Sequence, residues 1–512
     1  MGNPFGTLAT ARAALLLSGS TYVSFFFGLI VSAIIARAVG PEDFGRYAYV
    51  VWITGVLASI ANNGLNTTGI RFVSESLGRD SEEGAKSVHG WLRRRQYWCL
   101  AATALSFLAA IPWIVPADWN RPVAVFGFVV LISMIAKALY LFDISIAKGY
   151  GQYSVEAFST IAVSAGNLVC VVVLFGLRAS LSAYLTLFTV AGAAYAALAW
   201  RMLRMRRLTP TPQGLDPSVA PRLKNHLLWT VMLTVAAAIG NKSTETYLLS
   251  VYAGPAQVGF FAIAATLTRG SVELMSSGLN GVLMPLMGHA FGAGQTARVN
   301  SILVNAVRYF YFAGLLLAGL GFLWADPFIS LAYGAQYGPA TQAFQIMALV
   351  AGLTLSQGAF GALLSTTDHQ RIRALFALLS VVLSIGAAVL LVPRYGLAGA
   401  VIAHCSSSTL IFVLISAGIV HAFSVSLPWR ELARLTLAAA VAAAATAGFL
   451  WSGKDLLHQF VGGVLYAVLF IVASFLFRAW KETDLSVLAP LASRYPELLG
   501  RLLPAMALWL RR

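Results

Sequence analysis

The 512-residue sequence is short of charge: 11% of it is Asp, Glu, Lys or Arg, against about 25% in an ordinary soluble domain. Acidic residues are the scarcest, 19 against 35 Lys and Arg. Together with a hydrophobic share of 59%, this excludes a soluble enzyme, a disordered chain and a nucleic-acid-binding domain. Cysteine is nearly missing. Cys99, Cys170 and Cys405 lie far apart in apolar stretches, which excludes a disulfide framework and a cysteine metal site. No phosphate-binding loop is present, since Gly84-Ala85-Lys86-Ser87 and Gly240-Asn241-Lys242-Ser243 lack its spacing. There is no HExxH and no nucleophile elbow. No segment on the expected outer side is long enough to hold a catalytic domain. An enzyme, a metal and a cofactor are therefore not expected.

What is present is apolar sequence in lengths that cross a bilayer. A hydrocarbon core about 30 Å thick takes about 20 apolar residues per helix. Such stretches lie near 13–36, 47–66, 97–115, 123–147, 155–176, 180–200, 227–252, 258–283, 306–325, 340–364, 374–392, 397–420, 433–451 and 461–477. The fold class expected is an all-α polytopic membrane protein of about 14 helices. The first stretch is too long for a signal-peptide core and lacks a convincing cleavage site, so it reads as retained. With the N-terminus inside, 26 Lys and Arg fall on inner segments and 6 on outer turns. That bias predicts a multi-pass protein of the cell inner (cytoplasmic) membrane with both termini cytoplasmic.

An internal duplication organises the chain. At an offset of 214 residues, Gly40-Pro41 and Gly45 match Gly254-Pro255 and Gly259, and Gly64-Leu65-Asn66 matches Gly278-Leu279-Asn280. At an offset of 220, Gly166 matches Gly386 and Gly176 matches Gly396. The expected organisation is a six-helix lobe over 1–208, a Pro-rich cytoplasmic linker over 209–226 and a second six-helix lobe over 227–420. Helices 13 and 14 then occupy 421–478, and a basic amphipathic tail 479–512. An even number of helices per repeat gives both repeats the same direction, related by a pseudo-two-fold axis along the membrane normal.

Charges within spans are costly, about 2.5–3.5 kcal/mol each at mid-bilayer, and so mark functional candidates. Lys242 and Glu245 share a face of span 227–252, Arg269 and Glu273 a face of span 258–283, and Lys137 and Asp143 lie in span 123–147. Lys137, Lys242 and Arg269 suit a phosphate or diphosphate head group. Asp143, Glu245 and Glu273 would preset those bases as counter-charges or take a coupling proton or sodium ion; the residues leave both open. Asn62, Asn63, Asn66 and Asn280, at the polar ends of two spans, are candidate contacts for sugar hydroxyls. His404, with no second His or Cys nearby, makes no metal site.

The stretch Ala36-Arg37-Ala38-Val39-Gly40-Pro41-Glu42-Asp43-Phe44-Gly45-Arg46-Tyr47 resembles the first outer turn of Wzx-type polysaccharide and O-antigen flippases. These belong to the multidrug/oligosaccharidyl-lipid/polysaccharide exporter superfamily. Ala253-Gly254-Pro255-Ala256-Gln257-Val258-Gly259-Phe260-Phe261 and Arg394-Tyr395-Gly396-Leu397-Ala398-Gly399-Ala400 are similar to later turns of that family. The resemblance spans about 1–420. It implies two lobes arranged as a V and alternating access without ATP. The implied cargo is an undecaprenyl-diphosphate oligosaccharide for lipopolysaccharide or exopolysaccharide biosynthesis. Partners implied are that lipid-linked oligosaccharide, membrane lipids, a coupling H+ or Na+, and a polysaccharide polymerase or glycosyltransferases. A cation-coupled multidrug exporter of the same superfamily is the alternative, and a membrane-embedded glycan polymerase a more distant one.

Overall fold

The computed structural model describes residues 7–484 except 80, 117, 212–213, 218, 241–242, 276–282, 284–285, 288, 292, 367–369, 424, 452, 454 and 482–483. The described residues are helical, without strands. In chain order the helices are α1 (Thr7–Asn62), α2 (Leu65–Gly78), α3 (Glu82–Ile114), α4 (Val123–Gly149), α5 (Ser154–Gly176) and α6 (Leu181–Met205). Then come α7 (Ala220–Gly240), α8 (Ser243–Tyr252), α9 (Pro255–Thr268), a π-helical turn (Arg269–Glu273), α10 (Thr296–Ala332), α11 (Gly338–Thr354) and α12 (Gln357–Thr366). The last are α13 (Gln370–Phe423), α14 (Trp429–Leu450) and α15 (Leu456–Leu476). The expected amphipathic tail over 479–512 lies almost wholly outside the described residues.

Among the described residues nine helices are long and apolar enough to cross a membrane, or ten if the pair Ala335–Thr354 and Gln357–Leu364, bent by 46°, counts as one span. The protein is thus a multi-pass membrane protein. Two of the nine are far longer than a bilayer needs: Gly19–Asn62 with 44 residues and Ala374–Phe423 with 50. At about 1.5 Å per residue each exceeds a 30 Å core about twofold. Each is broken by a glycine outside helical geometry, Gly40 (φ 78°) and Gly396 (φ 54°). The break at Gly396 reverses the chain: a Cβ on Gly399 would lie 2.2 Å from the carbonyl oxygen of Leu391. In a straight helix eight residues would hold those positions about 12 Å apart. The proline after Gly40 costs little, because a helix-starting residue has no intrahelical N–H bond to lose.

The duplication is visible in the backbone. Gly254, the repeat counterpart of Gly40, also takes a positive φ, 84°, and is likewise followed by a proline that begins a helix. The next matched pair, Gly45 and Gly259, touch each other: a Cβ on Gly259 would sit 3.2 Å from the Gly45 nitrogen and 3.3 Å from its Cα. Contact between equivalent residues is what a two-fold relation produces on its own axis. Only glycine lets the two helices approach so closely, since a Cβ on Gly45 would fall 1.7 Å from the Pro255 carbonyl oxygen.

The chain divides into two compact units. Unit 1 holds residues 1–266, 329–343 and 374–407; unit 2 holds 267–328, 344–373 and 408–512. In unit 1, α1 packs on α4 and α5, α4 on α6, and α2 on α3 and α4. A core of Leu65, Phe72, Val88, Leu92, Phe142 and Leu223 ties α2, α3, α4 and α7 together. Asn63 (φ 45°) and Gly64 (φ 74°) take the left-handed conformation that ends α1 and starts α2. The hydroxyls of Thr67 and Thr68 turn back to the Gly64 carbonyl. In unit 2, α14 and α15 pack on each other and, through Tyr466 and Phe470, on Leu315 of α10.

Candidate functional site

Lys137 lies midway along α4, whose spanning window is half buried. The side chain is partly buried, and its ammonium lies 3.3 Å from where a Cβ on Gly55 would be. Gly55 sits in the second limb of α1 and is the repeat counterpart of Arg269 at the offset of 214. At this repeat position, then, the first half has a glycine with a lysine from α4 beside it, where the second half has an arginine.

Asp143, two turns further along α4, faces α3 and not Lys137. It is 2% exposed, and its carboxylate accepts from Arg93 of α3. The Arg93 guanidinium also lies 4.4 Å over the Phe142 ring and donates to Gln96 Oε1 at 2.9 Å. Gln96, fully buried, donates to Asn62 Oδ1 and to the Ala138 carbonyl, both at 3.0 Å. The Asn62 amide donates to that same carbonyl at 3.0 Å. Asn62, an expected sugar contact, is 2% exposed and spends both ends of its carboxamide inside the bundle. This chain of partners satisfies each buried polar group in turn, which is what makes burial tolerable. Asn63 and Asn66 flank the break between α1 and α2, and both are half-buried. Gly64, between them, receives Thr230 of α7, whose Cγ2 lies 2.8 Å from a would-be Cβ.

A second polar centre of unit 1 joins α8 to both limbs of α13. Glu245 is fully buried. Its Oε1 accepts from the Ser384 hydroxyl at 3.0 Å and lies 4.0 Å from His404 Nδ1. Glu245 lies 139 residues from Ser384 and farther still from His404, so the sequence sets Glu245 beside Lys242 only and leaves His404 a lone histidine. Lys242, placed by sequence on the face of Glu245, lies outside the described residues.

Unit 2 carries Arg269 and Glu273 in the π-helical turn that closes α9. The Arg269 side chain is exposed, and Ser271 Oγ donates to the Leu267 carbonyl at 2.9 Å. An i, i+5 turn inserts a residue into the helical ladder, a local irregularity found often at functional positions. The Glu273 side chain and the whole of Asn280 lie outside the described residues. Sequence reasoning missed Arg93, one of the 26 inner-segment Lys and Arg, and Gln96.

Charged and hydrogen-bonded groups are thus held inside long apolar helices, in a chain folded as a repeat, which marks a multi-pass membrane protein with polar centres within its spans. The chain belongs to the polysaccharide biosynthesis protein family, whose model matches residues 10–291. No curated protein matches the sequence. Among solved structures it is similar to lipid II flippase MurJ in an inward closed conformation. That likeness has a TM-score of 0.70 at 13% identity, over 89% of this chain and 98% of that one. It is also similar to an inward-facing multidrug resistance MATE family transporter of the MOP superfamily, TM-score 0.67 at 14% identity, over 78% and 94% of the two chains. A third likeness is to a point mutant of the Vibrio cholerae MATE transporter VcmN, TM-score 0.57 at 17% identity, over 81% and 98%. The fold is therefore that of MurJ and the MATE transporters.

Proposed function

We propose that this protein is a flippase for a lipid-linked, diphosphate-bearing oligosaccharide, moving it from the cytoplasmic to the outer leaflet by alternating access. The observation that carries the reading is Lys137: an ammonium kept within a membrane-spanning helix, in a chain of the polysaccharide biosynthesis family. A charge within a span is costly and marks a functional position. A diphosphate is the anion that lipid-linked glycans bring, and Arg269 and Lys242 supply the same chemistry in the second repeat. The lobes proposed are 1–208 and 227–420, each with its cation. The positive-inside bias puts both termini in the cytoplasm of a cell inner membrane. The polyprenyl tail stays in the bilayer while the head group passes, so no ATP site is needed.

Glu245, Ser384 and His404 form the coupling centre in this reading. A buried carboxylate beside an imidazole and a hydroxyl can take up and release a proton during the transport cycle. The same centre would serve a cation-coupled drug exporter, and the likeness to MATE transporters keeps that reading in play. Replacing Lys137 or Arg269 with Ala and measuring surface glycan export in cells separates the two. The flippase reading expects export to fall at normal protein levels. Unchanged export, with drug resistance conferred on a sensitive host, overturns it in favour of the exporter.

A further inference from the structure

Unit 1 holds a cavity of about 430 Å³ that the transport reading does not use. It lies at the end of the unit where the basic segments meet, between α3, α4 and α6. Its roof is Thr209 and Pro210, in the segment that follows α6. The roof is fastened down: the Thr211 nitrogen donates to the Lys86 carbonyl at 3.3 Å. Gly90 is also cut to fit it, since a Cβ there would lie 2.0 Å from the Thr211 carbonyl oxygen.

Three features of the lining point to one ligand chemistry. His89 is 1% exposed and lines the cavity, yet neither ring nitrogen has a hydrogen-bond partner. Buried polar groups are nearly always satisfied, so an orphaned imidazole on a cavity wall marks a place for a polar ligand atom. Arg204 stands at the rim with its guanidinium 4.8 Å over the Trp200 ring, and among the described residues no carboxylate pairs with it. Arg93 lines the inner wall; the one acid there, Asp143, is already taken by it. The mouth of the cavity is aromatic and exposed: the lining residues Tyr97 and Trp200 are 56% and 52% exposed, and Trp98, next to Tyr97 in α3, is 76% exposed. Such rings sit at the level of lipid head groups.

From this we infer that the cavity binds the phosphate head group of an anionic membrane lipid. Arg204 and His89 contact the phosphate, and the apolar chain runs out over Tyr97 and Trp200 into the bilayer. The volume fits a small head group, and an arginine fork matches phosphate oxygens. The inference does not rest on the transport reading, because binding is measured without translocation. The lipid would also touch the roof, and so hold the segment joining α6 to α7 against α3.

The test uses the purified full-length protein in detergent and native mass spectrometry. Phosphatidylglycerol, phosphatidylcholine and undecaprenyl phosphate are each added in turn. Arg204→Ala removes the rim contact, Arg204→Lys keeps the charge, and Arg201→Ala removes an exposed arginine that does not line the cavity. The expected result is one retained phosphatidylglycerol, lowered about fivefold by Arg204→Ala, less by Arg204→Lys and not by Arg201→Ala, the scale of one lost charge-assisted contact. The same pattern with undecaprenyl phosphate alone also supports the inference and names the isoprenoid carrier as the source. Equal loss in Arg204→Ala and Arg201→Ala, or equal retention of phosphatidylcholine, overturns it. So does displacement of the bound lipid by inorganic phosphate, which would make the ligand a free ion.

Discussion

The Gly45–Gly259 contact makes a graded prediction about what holds unit 1 together. In Gly45→Ala the new methyl would lie 1.7 Å from the Pro255 carbonyl oxygen and 2.4 Å from its carbon. Neither atom can rotate away, because both are backbone. Restoring ordinary contact needs the two helices to part by about 1.5 Å, and overpacking of this kind costs about 1–3 kcal/mol or more. Gly259→Ala meets Gly45 at 3.2–3.3 Å, so a shift of a few tenths of an ångström suffices and the cost stays near the bottom of that range. Gly166→Ala, in α5, meets nothing within 4 Å. There the gain in helix propensity, about 0.5–1 kcal/mol, stands alone. Thermal unfolding of the three purified variants should therefore rank Gly45→Ala well below wild type, Gly259→Ala slightly below, and Gly166→Ala at or above it. Equal stability of Gly45→Ala and Gly166→Ala would refute the close glycine approach, and with it the two-fold reading of the repeat.

Three other outcomes follow from single groups. Asp484→Ala leaves Arg308, 2% exposed, without the carboxylate it donates to, and also removes the acceptor of the Tyr309 hydroxyl at 2.6 Å. Breaking a buried pair from one side costs about 3–5 kcal/mol, readable as a lowered unfolding temperature, and an unchanged temperature would contradict the pairing. Glu75 of α2 is held below the usual carboxylate range, first by its hydrogen bond from Arg222 and further by the charges of Arg222, Arg79 and Arg71. A depressed folded value means that the clamp between α2 and α7 is intact above the ordinary carboxylate range. It loosens only as pH falls through the folded value, so hydrogen exchange in α2 should rise at acid pH in wild type and already be raised at neutral pH in Glu75→Gln. Glu245→Gln keeps the Ser384 bond and removes the titration, so transport by that variant should lose its dependence on a proton gradient; a dependence as strong as wild type's would move the coupling elsewhere.

The features legible in the sequence were those with local causes. Apolar length announces a membrane helix, and Gly-Pro after span-length apolar sequence announced the break at Gly40. The pairing of Gly45 with Gly259 was readable as a repeat, though not as a contact. The polar centres were not legible because their members are remote. Arg93 and Asp143 are 50 residues apart, and Glu245 and Ser384 139. No periodicity links such positions; tertiary packing alone brings them together. Arg308, counted by sequence only among the inner-segment cations, is buried against Asp484. The π-helical turn at Arg269–Glu273 also escaped, because one inserted residue leaves the apolar pattern of the span almost unchanged.

Transport by this protein turns on a membrane-embedded cation that handles a polyanionic cargo. The protein reconstituted into vesicles with an undecaprenyl-diphosphate oligosaccharide, its head group made accessible to an external lectin only after crossing, gives the direct reading. Wild type should expose the glycan with time, and Lys137→Ala should do so at least about tenfold more slowly, the loss of one buried charge–phosphate contact, while unfolding at the wild-type temperature. Equal rates in the two proteins would contradict the central role given to Lys137.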